Sequence, residues 1–184
     1  YTNFLWTLWC AIPLALGADV EPFAIGSGLV LFALLLGLLY REHLTAGLPG
    51  LLPLALGGAA VSPDLAIFAT CGLETCLVAV LALAGYAALA DRRRALAGVL
   101  FGVATLARPD AALFVVAGGL FALWEDGGGV RDLSPGRFRG ALALGAAAAA
   151  FILPHLVFRY LYYGDLVPNT YYAKAGLSSY YIQG

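Results

Sequence analysis

Apolar residues along this chain fall into long runs separated by short polar gaps. The runs cover residues 3–16, 22–40, 50–61, 73–90, 95–107, 111–124 and 141–163. A helix standing perpendicular to a bilayer needs about 20 such residues at 1.5 Å of rise each. Residues 22–40, 73–90 and 141–163 meet that length, 47–61 is marginal, and 95–107 reaches only about 20 Å as a helix. The pattern predicts an all-α chain built as a polytopic transmembrane helix bundle.

The arginines give the bundle a direction, because lysine and arginine accumulate in cytoplasmic loops. Arg92, Arg93 and Arg94 form one cluster, Arg131, Arg137 and Arg139 another, and Arg41 follows the second apolar run. With these three loops inside, residues 17–21, residues 62–72, the turn Arg108-Pro109-Asp110 and the tail from Gly164 face outward. Residues 95–124 must then reach the outer half and return, as a hairpin with Arg108 and Asp110 at its tip. The first run is short, holds Pro13, and carries Trp6 and Trp9 near its start, as interfacial segments do. Its residues fit a helix along the outer interface as well as a true span.

Composition agrees with this class. Hydrophobic residues make up 62% of the 184 and charged residues 11%, against about 25% charged in a soluble domain, and the mean hydropathy is +0.88. A net charge of −1 and the lack of a basic tract argue against a nucleic-acid partner. Cys10, Cys71 and Cys76 lack metal-ligand spacing, and His43 and His155 lie far apart, so a zinc site is not expected. The three glycines Gly127–Gly129 lack the strand–turn–helix setting and the Lys-Ser/Thr ending of a phosphate loop. With no methionine and an apolar start at Tyr1, the sequence reads as an internal piece of a longer membrane protein, one partial transmembrane domain over residues 1–184.

The chemistry concentrates at Arg108-Pro109-Asp110, which places two charges between apolar runs. Ionisable groups in such segments are costly and mark functional sites by default. The intervening proline removes a backbone donor and breaks the helix, which lipid tolerates where a cavity or other helices satisfy the backbone. A structural Arg108–Asp110 pair within a bundle is the competing explanation. The outward loops also collect Asp19, Glu21, Asp64, Glu74 and Asp165, with Arg159 and Lys174 as further cations. The tail around Tyr160–Tyr172 is dense in tyrosine, whose faces and polar tips suit a membrane belt, sugars or phosphates.

Four passages together resemble a known family, the polyprenyl-phosphate-dependent glycosyltransferases of the GT-C fold. Tyr1-Thr2-Asn3-Phe4-Leu5-Trp6 resembles the segment that follows their first outer loop. Ala69-Thr70-Cys71-Gly72-Leu73-Glu74-Thr75 is similar to their A-T-S-G-L-E-T loop, with Cys71 in place of the usual serine. Leu106-Ala107-Arg108-Pro109-Asp110 and the stretch from Tyr162 to Lys174 are similar to their L-T-R-P-D and Y-Y-G-D-x-x-P-N-T-x-Y-A-K signatures. The resemblance is nearest to the group that includes the mycobacterial terminal arabinofuranosyltransferase of cell-wall arabinan.

The resemblance implies a multi-pass enzyme of the bacterial plasma membrane whose active site faces the periplasm or cell exterior. It implies a polyprenyl-phosphate sugar donor, a glycan or lipid acceptor, and a short interfacial helix over residues 3–16. The catalytic aspartate is expected in an outer loop before Tyr1. The substrate-binding residues it implies are Glu74, Arg108, Asp110, Tyr163, Asp165, Asn169, Tyr172 and Lys174. Among these, Arg108 and Lys174 are the expected grips for the departing lipid phosphate. Glu74 is expected to orient acceptor hydroxyls or a divalent cation, the one cofactor considered. Asp110 is expected to orient Arg108 or to bind sugar. A transporter or lipid-handling protein with a charged intramembrane gate is the alternative. Against it, the polar residues gather on one face, and two halves with matching interrupted segments are not found.

Overall fold

The computed structural model describes residues 3–47, 53–124 and 135–164, and among them the chain is 87% helix with no strand. In chain order the helices are α1 (Phe4–Ala15), α2 (Val20–Thr45), α3 (Leu54–Ala60), α4 (Pro63–Thr70) and α5 (Thr75–Ala90). They continue as α6 (Arg94–Ala107), a 3-10 turn (Pro109–Ala111), α7 (Ala112–Trp124) and α8 (Pro135–Tyr163). Two helices are long and apolar enough to cross a membrane, α2 over Val20–Thr45 and α8 over Phe138–Tyr163, with mean hydropathies of 2.3 and 2.0. The run at 73–90, expected to span by itself, forms α5 of 16 residues and counts as a third span only if taken with α4, whose axis meets it at 116°.

The marginal run at 47–61 does not form a single long helix. α3 has only seven residues, and α4 follows it where a loop was expected over 62–72. The reason is local. Ser62 caps α4, its Oγ accepting the Leu65 N–H at 3.4 Å, and Pro63 occupies the first helical position, where its missing donor costs nothing. α3 begins beside Leu39, Glu42 and His43 of α2, and α4 ends with Ala69 against Gly28. Together the two short helices run back along α2. Gly72 then takes a left-handed φ of 69° against Ala24 and turns the chain into α5.

Residues 95–124 form the expected hairpin. Arg108 precedes a proline, adopts an extended conformation (φ −146°, ψ 127°) and ends α6. Its N–H still donates to the Ala104 carbonyl at 2.8 Å, and its carbonyl accepts the Ala111 N–H at 3.0 Å, so the break leaves both groups satisfied. Phe101 fills the centre, wedged between Gly85 of α5 and Gly118 of α7 and stacked on Phe114 at 6.0 Å. With Ala88, Leu89, Ala97 and Leu144 it forms the buried core. α6 and α8 run parallel in close register, Gly98 against Leu144 and Gly102 against Ala148. In a bilayer, where lipid tails are as apolar as leucine, contacts of this kind hold helices together by close backbone approach.

The two ends of this bundle differ in charge. Arg41 pairs with Glu42 at 3.5 Å and Asp91 at 3.7 Å, and the Arg94 side chain lies against Gly140. Arg92 and Arg93 share that end, while Arg131 lies outside the described residues. Gly72, Glu74 and the Arg108–Asp110 turn occupy the other end.

Candidate functional site

α1 assembles this second end by crossing it. Phe4 packs on His155 and Phe158 of α8, with ring centroids 4.5 and 5.7 Å away. Trp6 donates its indole N–H to the Gly72 carbonyl at 2.9 Å. Trp9 reaches α2, packing at a tilt on Phe23 with ring centroids 5.4 Å apart and donating to Ser27 Oγ at 2.9 Å. At roughly 18 Å, α1 is long enough to bridge from α8 to α2 over the α4–α5 turn.

Asn3, just before α1, donates from Nδ2 to Glu74 Oε2 at 2.8 Å. Glu74 stands at the N-terminal end of α5, where backbone N–H groups and the helix dipole favour a negative charge. It is only 6% exposed. Its other oxygen, Oε1, faces Arg108 Nη1 at 3.8 Å. The rest of the Arg108 guanidinium forks onto Asp110, with Nε to Oδ1 and Nη2 to Oδ2 both at 3.1 Å. This pairing holds the Asp110 carboxyl below its ordinary range and raises the Arg108 guanidinium above its own, with burial opposing both shifts. Three stretches far apart in sequence therefore meet in one chain of contacts: Asn3, Glu74, Arg108, Asp110.

Tyr163 does not touch this network among the described contacts. It lies on α8 in an aromatic cluster, edge-on to Tyr162 at 4.7 Å and to Phe158 at 6.4 Å, and Phe158 in turn packs on Phe4. Asp165, Asn169, Tyr172 and Lys174 lie outside the described residues. Hard divalent cations take oxygen ligands, part of them from water or substrate phosphate, and the carboxylates of this network among the described residues are Glu74 and Asp110. No group of three His, Cys, Asp or Glu occurs among them, and Arg108 stands between the two carboxylates as their cation.

Two features of this end are not in the expected site. Asn3 is a single amide in an apolar run, and the carboxylate it donates to is 71 residues away. Arg159, 7% exposed on α8, lies one turn beyond His155, which packs on Phe4. A half-open apolar groove of about 580 Å3 also begins beside the network. Leu5, Trp6, Trp9, Phe23, Leu31 and Leu77 line it, and its one hydroxyl, Ser27, is bonded to Trp9. Compared with protein-family models, curated proteins and solved structures, the chain matches none.

Proposed function

We propose that this chain is part of a GT-C-type membrane glycosyltransferase that moves a sugar from a polyprenyl-phosphate donor to a glycan or lipid acceptor on the outer membrane face. One observation carries the reading. Asn3, Glu74 and Arg108-Pro109-Asp110 come from three separate passages that resemble this family, and they converge on one polar network at the end away from the arginine clusters. A purely structural origin for the charges would not require the three passages to meet.

The residues suit the chemistry of an inverting transfer. The acceptor oxygen attacks the anomeric carbon, the bond to phosphate breaks with its electron pair passing to the phosphate oxygen, and the hydroxyl proton goes to a carboxylate base. The resemblance puts that base before Tyr1. Glu74 lies at the right end to accept a hydrogen bond from an acceptor hydroxyl and aim its oxygen. The resemblance implies Arg108 and Lys174 as the cations for the departing phosphate, and Arg159 of α8 is a further cation at this end. The apolar groove from Trp6 to Leu31 offers the lipid portion of a substrate a path beside the network.

The test uses the full-length protein in liposomes, supplied with polyprenyl-phosphate donors carrying labelled sugars. Label appearing on an acceptor supports the reading. Label crossing the bilayer while still joined to its lipid, with no sugar transferred, would replace it with a transporter.

A further inference from the structure

We infer that Asn3 and Arg108 are positioning residues that clamp the Glu74 carboxylate from its two sides, and that Arg108 serves the acceptor through Glu74 instead of gripping the donor phosphate. The inference rests on the glycosyltransferase reading and assigns the acceptor subsite within it.

Glu74 has more hydrogen-bond acceptor positions than its described partners fill. An ionised carboxylate offers about four acceptor positions. Only one is filled among the described residues, by Asn3 Nδ2 on Oε2. The Arg108 Nη1–Oε1 separation of 3.8 Å is an ion pair without a hydrogen bond. A charge that is 6% exposed with open acceptor positions is costly unless something donates to it. Hydroxyl groups of a sugar supply such donors. The amide on one oxygen and the guanidinium beside the other fix the rotation of the carboxylate, so the remaining lone pairs point in set directions.

Arg108 is poorly placed for phosphate. Both prongs of its fork are engaged by Asp110, and its remaining nitrogen faces Glu74. Two carboxylates and one guanidinium leave the trio with one net negative charge, which repels an incoming phosphate but not a neutral hydroxyl. A phosphate would also have to displace Asp110 from a bidentate contact, the geometry in which arginine binds most firmly.

The experiment measures KM for donor and acceptor separately in the full-length reconstituted enzyme, for Asn3→Ala, Asn3→Gln, Asn3→Asp and Arg108→Gln. Asn3→Ala and Arg108→Gln are expected to lower kcat/KM for acceptor by roughly tenfold or more, the scale of a lost hydrogen bond or charge contact to a carboxylate, with donor KM unchanged. Asn3→Gln, which keeps the amide donor, should recover part of the loss. Asn3→Asp should be worse than Asn3→Ala, because it sets a second carboxylate against Glu74. In a Glu74→Gln background Asn3→Asp should add no further loss, since the clamp acts only through that carboxylate. A packing role for Asn3 would give additive losses and would overturn the proposal. So would a raised donor KM with unchanged acceptor KM in Arg108→Gln. If Asn3→Ala fails to reach the membrane, Asn3→Gln and Asn3→Asp decide, and equal acceptor kinetics in those two overturn the clamp. Absence of transfer by the wild-type enzyme overturns the glycosyltransferase reading itself; transfer with unaffected Asn3 variants overturns the clamp alone.

Discussion

Gly98 and Gly102 set the register of α6 on α8, and with it the height of the Arg108 turn relative to His155 and Arg159. A Cβ at Gly102 would lie 2.9 Å from both Cα and O of Ala148, and one at Gly98 would meet the Leu144 carbonyl, with Ala147 Cβ at 3.0 Å. The obstructing atoms are mostly backbone, so the helices must part. Overpacking of this kind costs about 1–3 kcal/mol. Replacing a helical glycine with alanine also gains up to about 1 kcal/mol of helix propensity, which blurs the raw effect. Gly119 and Gly145 supply the control, because a Cβ at either meets no atom within 4 Å. Both kinds of site gain the same propensity, so the difference between Gly98→Ala and Gly145→Ala isolates the packing penalty at about 1–3 kcal/mol. Reversible unfolding in bicelles reads it directly. Equal stabilities of Gly98→Ala and Gly145→Ala would refute the α6–α8 register.

Three further outcomes follow from the same geometry. Gly26 lines the apolar groove with open space where its Cβ would go, so Gly26→Phe should fill the groove and raise KM for long-chain donors while sparing short-chain ones; an equal effect on both removes the groove from the substrate path. Asp110 is held below its ordinary carboxyl range by Arg108, so the pair stabilises the fold above about pH 4 and loses that contribution as pH falls through the lowered value. With Asp110 63% and Arg108 41% exposed, the loss in Asp110→Asn at neutral pH should not exceed about 1 kcal/mol and should vanish in acid; unfolding measured against pH checks it, and a pH-independent difference contradicts the pairing. In a protein with Cys10, Cys71 and Cys76 replaced by serine, a cysteine at Ala18 should react with an impermeant label only from outside and one at Arg93 only from the cytoplasm, the reverse pattern overturning the orientation.

Much of the architecture was legible in the sequence, for physical reasons that also explain what was not. Long apolar runs leave little choice but helix, so α2 and α8 stand where hydropathy put them. Arg108-Pro109 marked the end of α6, because a residue before proline avoids helical geometry and a charge does not remain buried in lipid. Residues 62–72, expected as an outward loop from the placement of the arginines, hold α4, because Ser62-Pro63-Asp64 is a helix start in its own right. The convergence of Asn3 on Glu74 had no local signal, since a contact across 71 residues depends on how α1 crosses the bundle. The fork of Arg108 onto Asp110 is one of the two roles that the sequence offers Asp110. What the sequence alone left open was that this fork uses the groups a phosphate would need.

The most direct test of the proposed transfer is a single-turnover sugar-transfer assay of Glu74→Gln in the full-length reconstituted protein, with donor binding measured on the same preparation. The substitution keeps the size of the side chain but removes the charge proposed to orient an acceptor hydroxyl. Transfer at least about tenfold slower than wild type, with donor binding intact, is the expected result. Transfer at the parental rate would contradict the placement of the active site at the Asn3–Glu74–Arg108–Asp110 network.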